Sequence, residues 1–402
     1  MNKFRKYFPI FKKQKEIIYF DNAGTTLKHK NVIFAINQYY KKYSINDHTQ
    51  GSDKISKKVR KEIEETRKII SKEINAESEE IFFLPSATYS LNILSFSLEN
   101  ILKKNDKILL TFLEHSSNIF PWQSIAKKKK AKIEFLKLNE NFIIDLEILK
   151  KKIDKNVKIV SFFHVSNSFG STNPVEKITK IIKKNNPKCI IILDACQSIS
   201  YYKINVKKMK IDALVFSAHK IYGPTGIGVL WIKKKINEIT NDVLWGGGKK
   251  TNPLNIKKTS NFSDKKFEVG TLPLAQIFGL KKSFEFINNL KKNKRLILIK
   301  NYALKKLSNL KNIIIYNKNS FNNKNIIIFN IKRIHSHDIT DYLGKKGIIV
   351  RSGNFCCPYL KNFIKKESAI RLSFSIYNNK KEFNKFFFIM KKIINNSQIL
   401  IE

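Results

Sequence analysis

Short apolar runs alternate with amphipathic stretches along most of the chain. Apolar runs at Ile81–Leu84, Lys107–Thr111, Lys132–Lys137, Ile159–His164, Cys189–Asp194, Ala213–Ser217 and Gly228–Ile232 have strand length and composition. Between them, Leu91–Leu102, Trp122–Lys130, Leu146–Lys152 and Val175–Asn185 carry helical spacing. Such alternation predicts βαβ units and an α/β fold with a mostly parallel, seven-stranded sheet. Upstream, Ile17–Phe20 reads as a short strand followed by a DNAGTT turn. Val32–Tyr43 and Ser56–Ile74 read as helices, with Ser56 the candidate cap of the second. Asn241–Lys266 is polar and reads as a long loop. The pattern then restarts with a helix at Ala275–Leu290, strands at Ile313–Tyr316 and Asn325–Ile331, and helices at Ser336–Lys345 and Lys380–Ile394. At 402 residues two domains are expected. The boundary falls near residues 270–285, giving a large domain over 17–272 and a smaller α+β domain from 1–16 and 273–402.

Composition narrows the function classes. Apolar residues make up 42% and charged residues 27%, which excludes wholesale disorder. No run approaches the roughly 18 apolar residues of a membrane span. The formal net charge of +45 suggests nucleic acid, but only seven of the 77 basic residues are Arg. Phosphate recognition favours the planar Arg fork, and the Lys residues are spread along the whole chain. A solvated Lys-rich surface is therefore the plainer reading, and a specific nucleic-acid site is not expected. The four cysteines, Cys189, Cys196, Cys356 and Cys357, form no C-x-x-C pair. Neither a disulfide framework nor a metal site is expected. The N-terminus lacks a secretory apolar core. A cytoplasmic setting is the simplest expectation, with an organelle of bacterial ancestry as the alternative.

Open α/β sheets bind ligands at the carboxyl ends of their strands. Here those ends read Ser86-Ala87-Thr88, Glu114-His115-Ser116-Ser117-Asn118, His164-Val165-Ser166-Asn167, Asp194-Ala195-Cys196-Gln197 and Ser217-Ala218-His219-Lys220. Five polar endings in succession are what a ligand site needs. Asp194 alone reads as a turn or cap residue, and any one Lys in this chain reads as surface. Lys220 differs because it ends an apolar strand and precedes Gly223, Gly226 and Gly228. An Asp and a later Lys on neighbouring strand ends suit pyridoxal phosphate. The Lys forms a Schiff base with the cofactor aldehyde, and the Asp pairs with the protonated pyridine nitrogen. His115 is available to stack on the ring. Ser86-Ala87-Thr88, at a strand-to-helix turn, suits the phosphate.

The segment FSAHKIYGPTGIGVLW at Phe216 resembles the cofactor-lysine segment of class V aminotransferases, a branch of the fold-type-I pyridoxal phosphate enzymes. The whole chain is similar to group II cysteine desulfurases of the SufS/NifS-like branch. The matching pieces are YFDNAGTT at Tyr19, EHSSNIFPW at Glu114, HVSNSFGSTNPV at His164, LDACQSI at Leu193, WGGG at Trp245, FEVGTLP at Phe267, VRSGNFCCPYL at Val350 and RLSFSIYNN at Arg371. They run in family order over about residues 17 to 380.

The resemblance implies a role for each matching residue. Lys220 is the Schiff-base lysine and Asp194 the pyridine partner, with Gln197 donating to the ring hydroxyl. His115 stacks and handles protons. Ala87, Thr88, Ser217 and His219 form the phosphate cradle. Thr271 reaches the partner subunit's phosphate, which implies a homodimer. Asn167, Ala23 and Arg351 sit beside the substrate, and Arg371 grips its carboxylate. Cys356 is the nucleophile that receives sulfur from L-cysteine as a persulfide, releasing L-alanine. The sulfur then passes to an acceptor protein, SufU/SufE-like or a scaffold, for iron–sulfur clusters or thiolation.

The chain departs from the family pattern in several places. Asn354 and Phe355 precede Cys356 where the family has a His, and Cys357 follows it. Gly24 replaces an Ala, Thr49 and Gln50 replace a His-Arg pair, and Trp245 stands in an acidic position. Three other readings remain open: selenocysteine lyase, another class V aminotransferase or lyase, and a Lys-rich nucleic-acid-binding protein on a retired scaffold.

Overall fold

The computed structural model describes residues 3–45, 53–247, 266–288, 290 and 294–396. Thr49, Gln50 and most of the expected loop at Asn241–Lys266 lie outside them. Among the described residues there are thirteen strands. β1 (Ile18–Tyr19) comes first. β2 (Ile81–Leu84), β3 (Lys107–Thr111), β4 (Lys132–Leu136), β5 (Val157–Phe163), β6 (Ile190–Asp194), β7 (Ala213–Ser217) and β8 (Gly228–Ile232) follow. β9 (Ile313–Ile315), β10 (Ile326–Ile331), β11 (Ile348–Ile349), β12 (Arg351–Gly353) and β13 (Ala369–Ser373) complete the set.

The large sheet has seven strands in the order β2-β8-β7-β6-β5-β3-β4. β7 through β4 are parallel, while β8 runs antiparallel to both β7 and β2. β6, β7 and β8 are buried along their whole length, as expected of strands covered by helices on both faces. The fold is α/β and of the expected class. Its strand order reverses between β3 and β5, which opens a crevice at their carboxyl ends.

A second sheet, β12-β13-β10-β9, is antiparallel. It carries helices Arg295–Ser308, Ser336–Lys345 and Lys380–Asn395. The N-terminal strand joins this half: β1 pairs in parallel with β11, and Asp21 bridges to Ser373 at the end of β13. Helix Lys54–Ile74 begins two residues before the expected cap. Asp53 caps it instead, its carboxylate accepting from Ser56 N at 2.8 Å. No described helix is long and apolar enough to cross a membrane.

Candidate active site

The carboxyl ends of β2, β3, β5, β6 and β7 converge on one cavity of about 160 Å³, closed on its far side by β12, β13 and the loop after β12. The turn after β2 starts helix Ala87–Ser97. Ser86 caps it by accepting from Tyr89 N at 3.1 Å, worth about 1 kcal/mol. Ala87 N donates to Ser217 Oγ at 2.8 Å, tying this helix N-terminus to the end of β7. The close approach needs Gly228: a Cβ there would lie 2.7 Å from the Ser86 carbonyl carbon. The amides of Ala87, Tyr89 and Ser90 are thus already bonded, which leaves the Thr88 N–H and hydroxyl at this helix start for an anion.

His115 follows β3. Its Nδ1 accepts from Ser117 N at 3.2 Å and meets Ser117 Oγ at 3.0 Å. Ser117 Oγ in turn meets Thr88 Oγ1 at 2.8 Å. With Nδ1 accepting, the neutral ring carries its proton on Nε2. Burial, aided by the positive charge of Lys220, pushes His115 down to about 4. At neutral pH the ring is therefore uncharged, and it lines the cavity.

After β6, Asp194 Oδ1 accepts from Cys196 N at 2.8 Å, which fixes a nearly buried carboxylate in the wall. Burial raises the Cys196 thiol well above its ordinary value, and Asp194 adds to the shift. Cys196 is therefore packing, not a reactive thiol. Gln197 Nε2 donates to Ala23 O at 2.8 Å. After β7 come His219 and Lys220, both half-buried. His219 Nδ1 lies 3.1 Å from Thr25 Oγ1. Lys28 Nζ, which burial pulls down to about 8, donates to Thr25 Oγ1, Thr26 O and His219 O. It pins the DNAGTT turn against the lysine turn.

Four histidines, His29, His115, His164 and His219, are each pushed down to about 4, with burial the first cause in every case. Unfolding returns them to about 6.5. Between those values the unfolded chain binds more protons, so stability falls as pH falls. Glu114, pushed up to about 8, works in the opposite sense, one proton against four, so the cofactor-free protein should still lose Tm progressively below about pH 6.5. Melting curves at half-unit steps check this. A flat Tm from about pH 6.5 to 5, above the carboxylate range, would contradict it.

The far wall is cationic. Arg351 on β12 and Arg371 on β13 are direct cross-strand partners. Like charges so placed repel, and each has found a partner of its own. Arg371 is 1% exposed. Its Nη2 donates to Asp21 Oδ1 at 2.7 Å and its Nη1 to Asn167 O at 2.9 Å, while Nε is buried without a partner. The Phe355 ring covers the guanidinium at 4.9 Å. Arg351 Nη2 lies 3.7 Å from Cys356 Sγ.

The loop after β12 is tightly held. Phe355 and Cys356 both take left-handed backbone, with φ of 56° and 57°. Cys356 N donates to Asn354 Oδ1, and the Cys356 carbonyl accepts from both Ser116 N and Ser116 Oγ. Asn167 Nδ2 donates to Phe355 O at 2.7 Å. Cys356 is partly exposed and lines the cavity. Cys357 points away and is buried. Its Sγ lies 3.6 Å from Phe112 O, and burial pushes it up to about 12.

The structure brings together Ala23, Ala87, Thr88, His115, Asn167, Asp194, Gln197, Ser217, His219, Lys220, Arg351, Cys356 and Arg371 around this cavity. Thr271 is exposed and lies outside it. Sequence reasoning gave no part to Asp21, Ser117 or Phe355, although each lies inside a quoted motif. It also passed over Glu114, which is fully buried and accepts from Thr111 Oγ1, Asn118 Nδ2 and Phe163 N. Burial pushes this carboxyl up to about 8 against the pull of those donors. The network stiffens the turn that presents His115 and Ser116.

The sequence model of the family "Aminotransferase class-V" matches residues 18–386. A probable cysteine desulfurase of Borreliella burgdorferi is 38% identical over 97% of this chain and 95% of its own length. A cysteine desulfurase of Wigglesworthia glossinidia brevipalpis is 36% identical over 97% of this chain and 96% of its own. Among solved structures, a cysteine desulfurase from Thermococcus onnurineus NA1 superposes with a TM-score of 0.88. It is 33% identical, and 97% of each chain is covered.

Proposed function

We propose that this chain, which belongs to the aminotransferase class-V family, is a pyridoxal-phosphate-dependent cysteine desulfurase that moves the sulfur of L-cysteine onto Cys356 and releases L-alanine. One observation carries the reading beyond the family. A cysteine thiol 3.7 Å from a guanidinium shares a single cavity with a strand-end lysine, a buried carboxylate and a second, buried arginine.

The residues present fit the cofactor. Asp194 supplies a fixed negative charge for a protonated pyridine nitrogen. The Thr88 N–H and hydroxyl at the Ala87–Ser97 helix start, with Ser217 and His219, supply donors for a phosphate. His115 offers an uncharged ring face, and the second amide hydrogen of Gln197 remains for a ring substituent. Bound through Lys220, pyridoxal phosphate supplies an electron sink for the carbon beside the substrate amino group.

Every further part is played by this chain's side chains. The unpartnered Arg371 Nε offers a charge-assisted hydrogen bond to the substrate carboxylate. Lys220 Nζ and His115 Nε2 hold and move protons. Arg351 Nη2 holds the Cys356 sulfur from 3.7 Å. The Cys356 thiolate attacks the substrate sulfur: an S–S bond forms, and the substrate C–S bond breaks. The electron pair stays with carbon, which takes up a proton and leaves as alanine. The persulfide on Cys356 sits on a partly exposed loop, where an acceptor protein can reach it. Thr271 lies exposed outside this cavity, as suits a residue serving the site of a second copy, and we assign a homodimer on that ground.

Sulfide and alanine formed from L-cysteine with a thiol reductant test the reading. Equal amounts are expected. Alanine without sulfide, or neither product with cofactor bound, would overturn it. L-Selenocysteine assayed in parallel separates a lyase for that substrate.

A further inference from the structure

Among the described residues, Asp21 is the one acidic side chain placed on Arg371. It belongs to the turn after β1. Its carbonyl accepts from Gly24 N and Thr25 N, and the same turn is fastened to β13 by the bridge from Asp21 to Ser373. The carboxylate reaches Arg371 through Oδ1 alone, at 2.7 Å. Asn167 O takes Nη1 on another side. Two protein acceptors in two directions fix the plane of the guanidinium and leave it further N–H donors, one each on Nη1 and Nη2 besides Nε. Burial alone works against the Arg371 charge, and Asp21 is the first influence that supports it, whereas Arg351 opposes it.

We propose that Asp21 is a positioning residue for substrate carboxylate binding. It holds Arg371 by Nη2 in the wall of the cavity. The inference deepens the reading above and rests on it only for the identity of the amino acid. Asp21 meets neither substrate nor cofactor. It acts through Arg371 and should govern binding more than turnover.

The test is the Kd for L-alanine, read from the absorbance change of the cofactor-loaded protein, alongside KM and kcat for L-cysteine. Asp21→Ala should raise the Kd and KM about tenfold or more and change kcat less. Asp21→Asn keeps an acceptor oxygen of the same shape and should recover much of the loss. It is also the variant least prone to misfold, and an unchanged cofactor spectrum reports an intact site. A wild-type or tighter Kd in Asp21→Ala, or a loss confined to kcat, would overturn the proposal. The result also separates this proposal from the desulfurase reading. A protein that makes no sulfide yet binds an α-amino acid, with the same weakening in the variants, keeps the proposal and loses that reading. Normal sulfide formation with unaltered Kd in both variants does the reverse. A wild type that binds no α-amino acid overturns both.

Discussion

Lys220→Ala is expected to lower turnover of L-cysteine by at least about a thousandfold, although the chain keeps 69 other lysines. The expectation rests on place. Lys220 follows β7 at the bottom of the cavity, within the field of His115 and Asp194. Among the described residues, no other lysine lines that cavity. The donors for the phosphate and the Asp194 carboxylate do not depend on Lys220, so the variant should still take up the cofactor, now without a covalent link. Borohydride reduction followed by peptide mapping checks this directly. The wild type should carry the reduced cofactor on the Lys220 peptide, and the variant should carry none. A variant that still turned over, or label on another lysine, would move the site. A wild type that took up no cofactor and bound nucleic acid tightly would favour the retired-scaffold reading instead. The cationic composition alone does not argue for that reading, because the lysines are spread along the whole chain and not gathered in one arm.

The half of the site built from strand ends was legible in the sequence because each piece is local. A strand, a turn and the first helical residues are contiguous, so EHSSN or LDACQS shows its polar groups at the place where a sheet crevice needs them. Contacts made by docking the second sheet were not legible. Asp21 meets Arg371, Ser116 meets Cys356 and Asn167 meets Phe355 across separations of 350, 240 and 188 residues. Nothing in the local pattern sets those distances. The second sheet itself hid for a related reason. β13 carries Arg371 in the middle of a fully buried strand, and a charge there breaks the apolar run that marks a strand. Helix Arg295–Ser308 was missed because the continuous Leu296–Ile299 run masks its period. Its buried face, Leu296, Ile299, Ala303 and Leu307, keeps helical spacing. The missing His before Cys356 now has a physical counterpart. Phe355 fills that position, is 2% exposed and covers Arg371, so this chain has exchanged a titratable group for an apolar lid on its carboxylate receptor.

Cys356→Ser is expected to reduce sulfide formation to background, a loss of at least about a hundredfold, while leaving the cofactor spectrum and the Kd for L-alanine unchanged. The separation follows from the loop geometry. Ser116 holds the Cys356 carbonyl twice, and Asn354 holds its N–H. All three bonds are to backbone and survive the substitution, so only the thiol is lost. A serine hydroxyl beside Arg351 stays protonated at neutral pH and makes a poor nucleophile toward sulfur, whereas a thiol near a cation yields its thiolate readily. Cys357 cannot stand in. Its sulfur is turned toward Phe112 O, it is buried, and burial pushes it up to about 12. Mass spectrometry of protein quenched during turnover should therefore find one added sulfur atom on the Cys356 position in the wild type and in Cys357→Ser, and none in Cys356→Ser. Sulfide lost in Cys357→Ser but kept in Cys356→Ser would reverse the assignment. It would require the loop to turn over about its two left-handed residues, breaking the Ser116 and Asn167 contacts that hold it. Any such movement would also uncover Arg371, because the Phe355 ring lies on the guanidinium. The thiol's reach toward the substrate and the arginine's grip on the carboxylate are thus set by the same short loop.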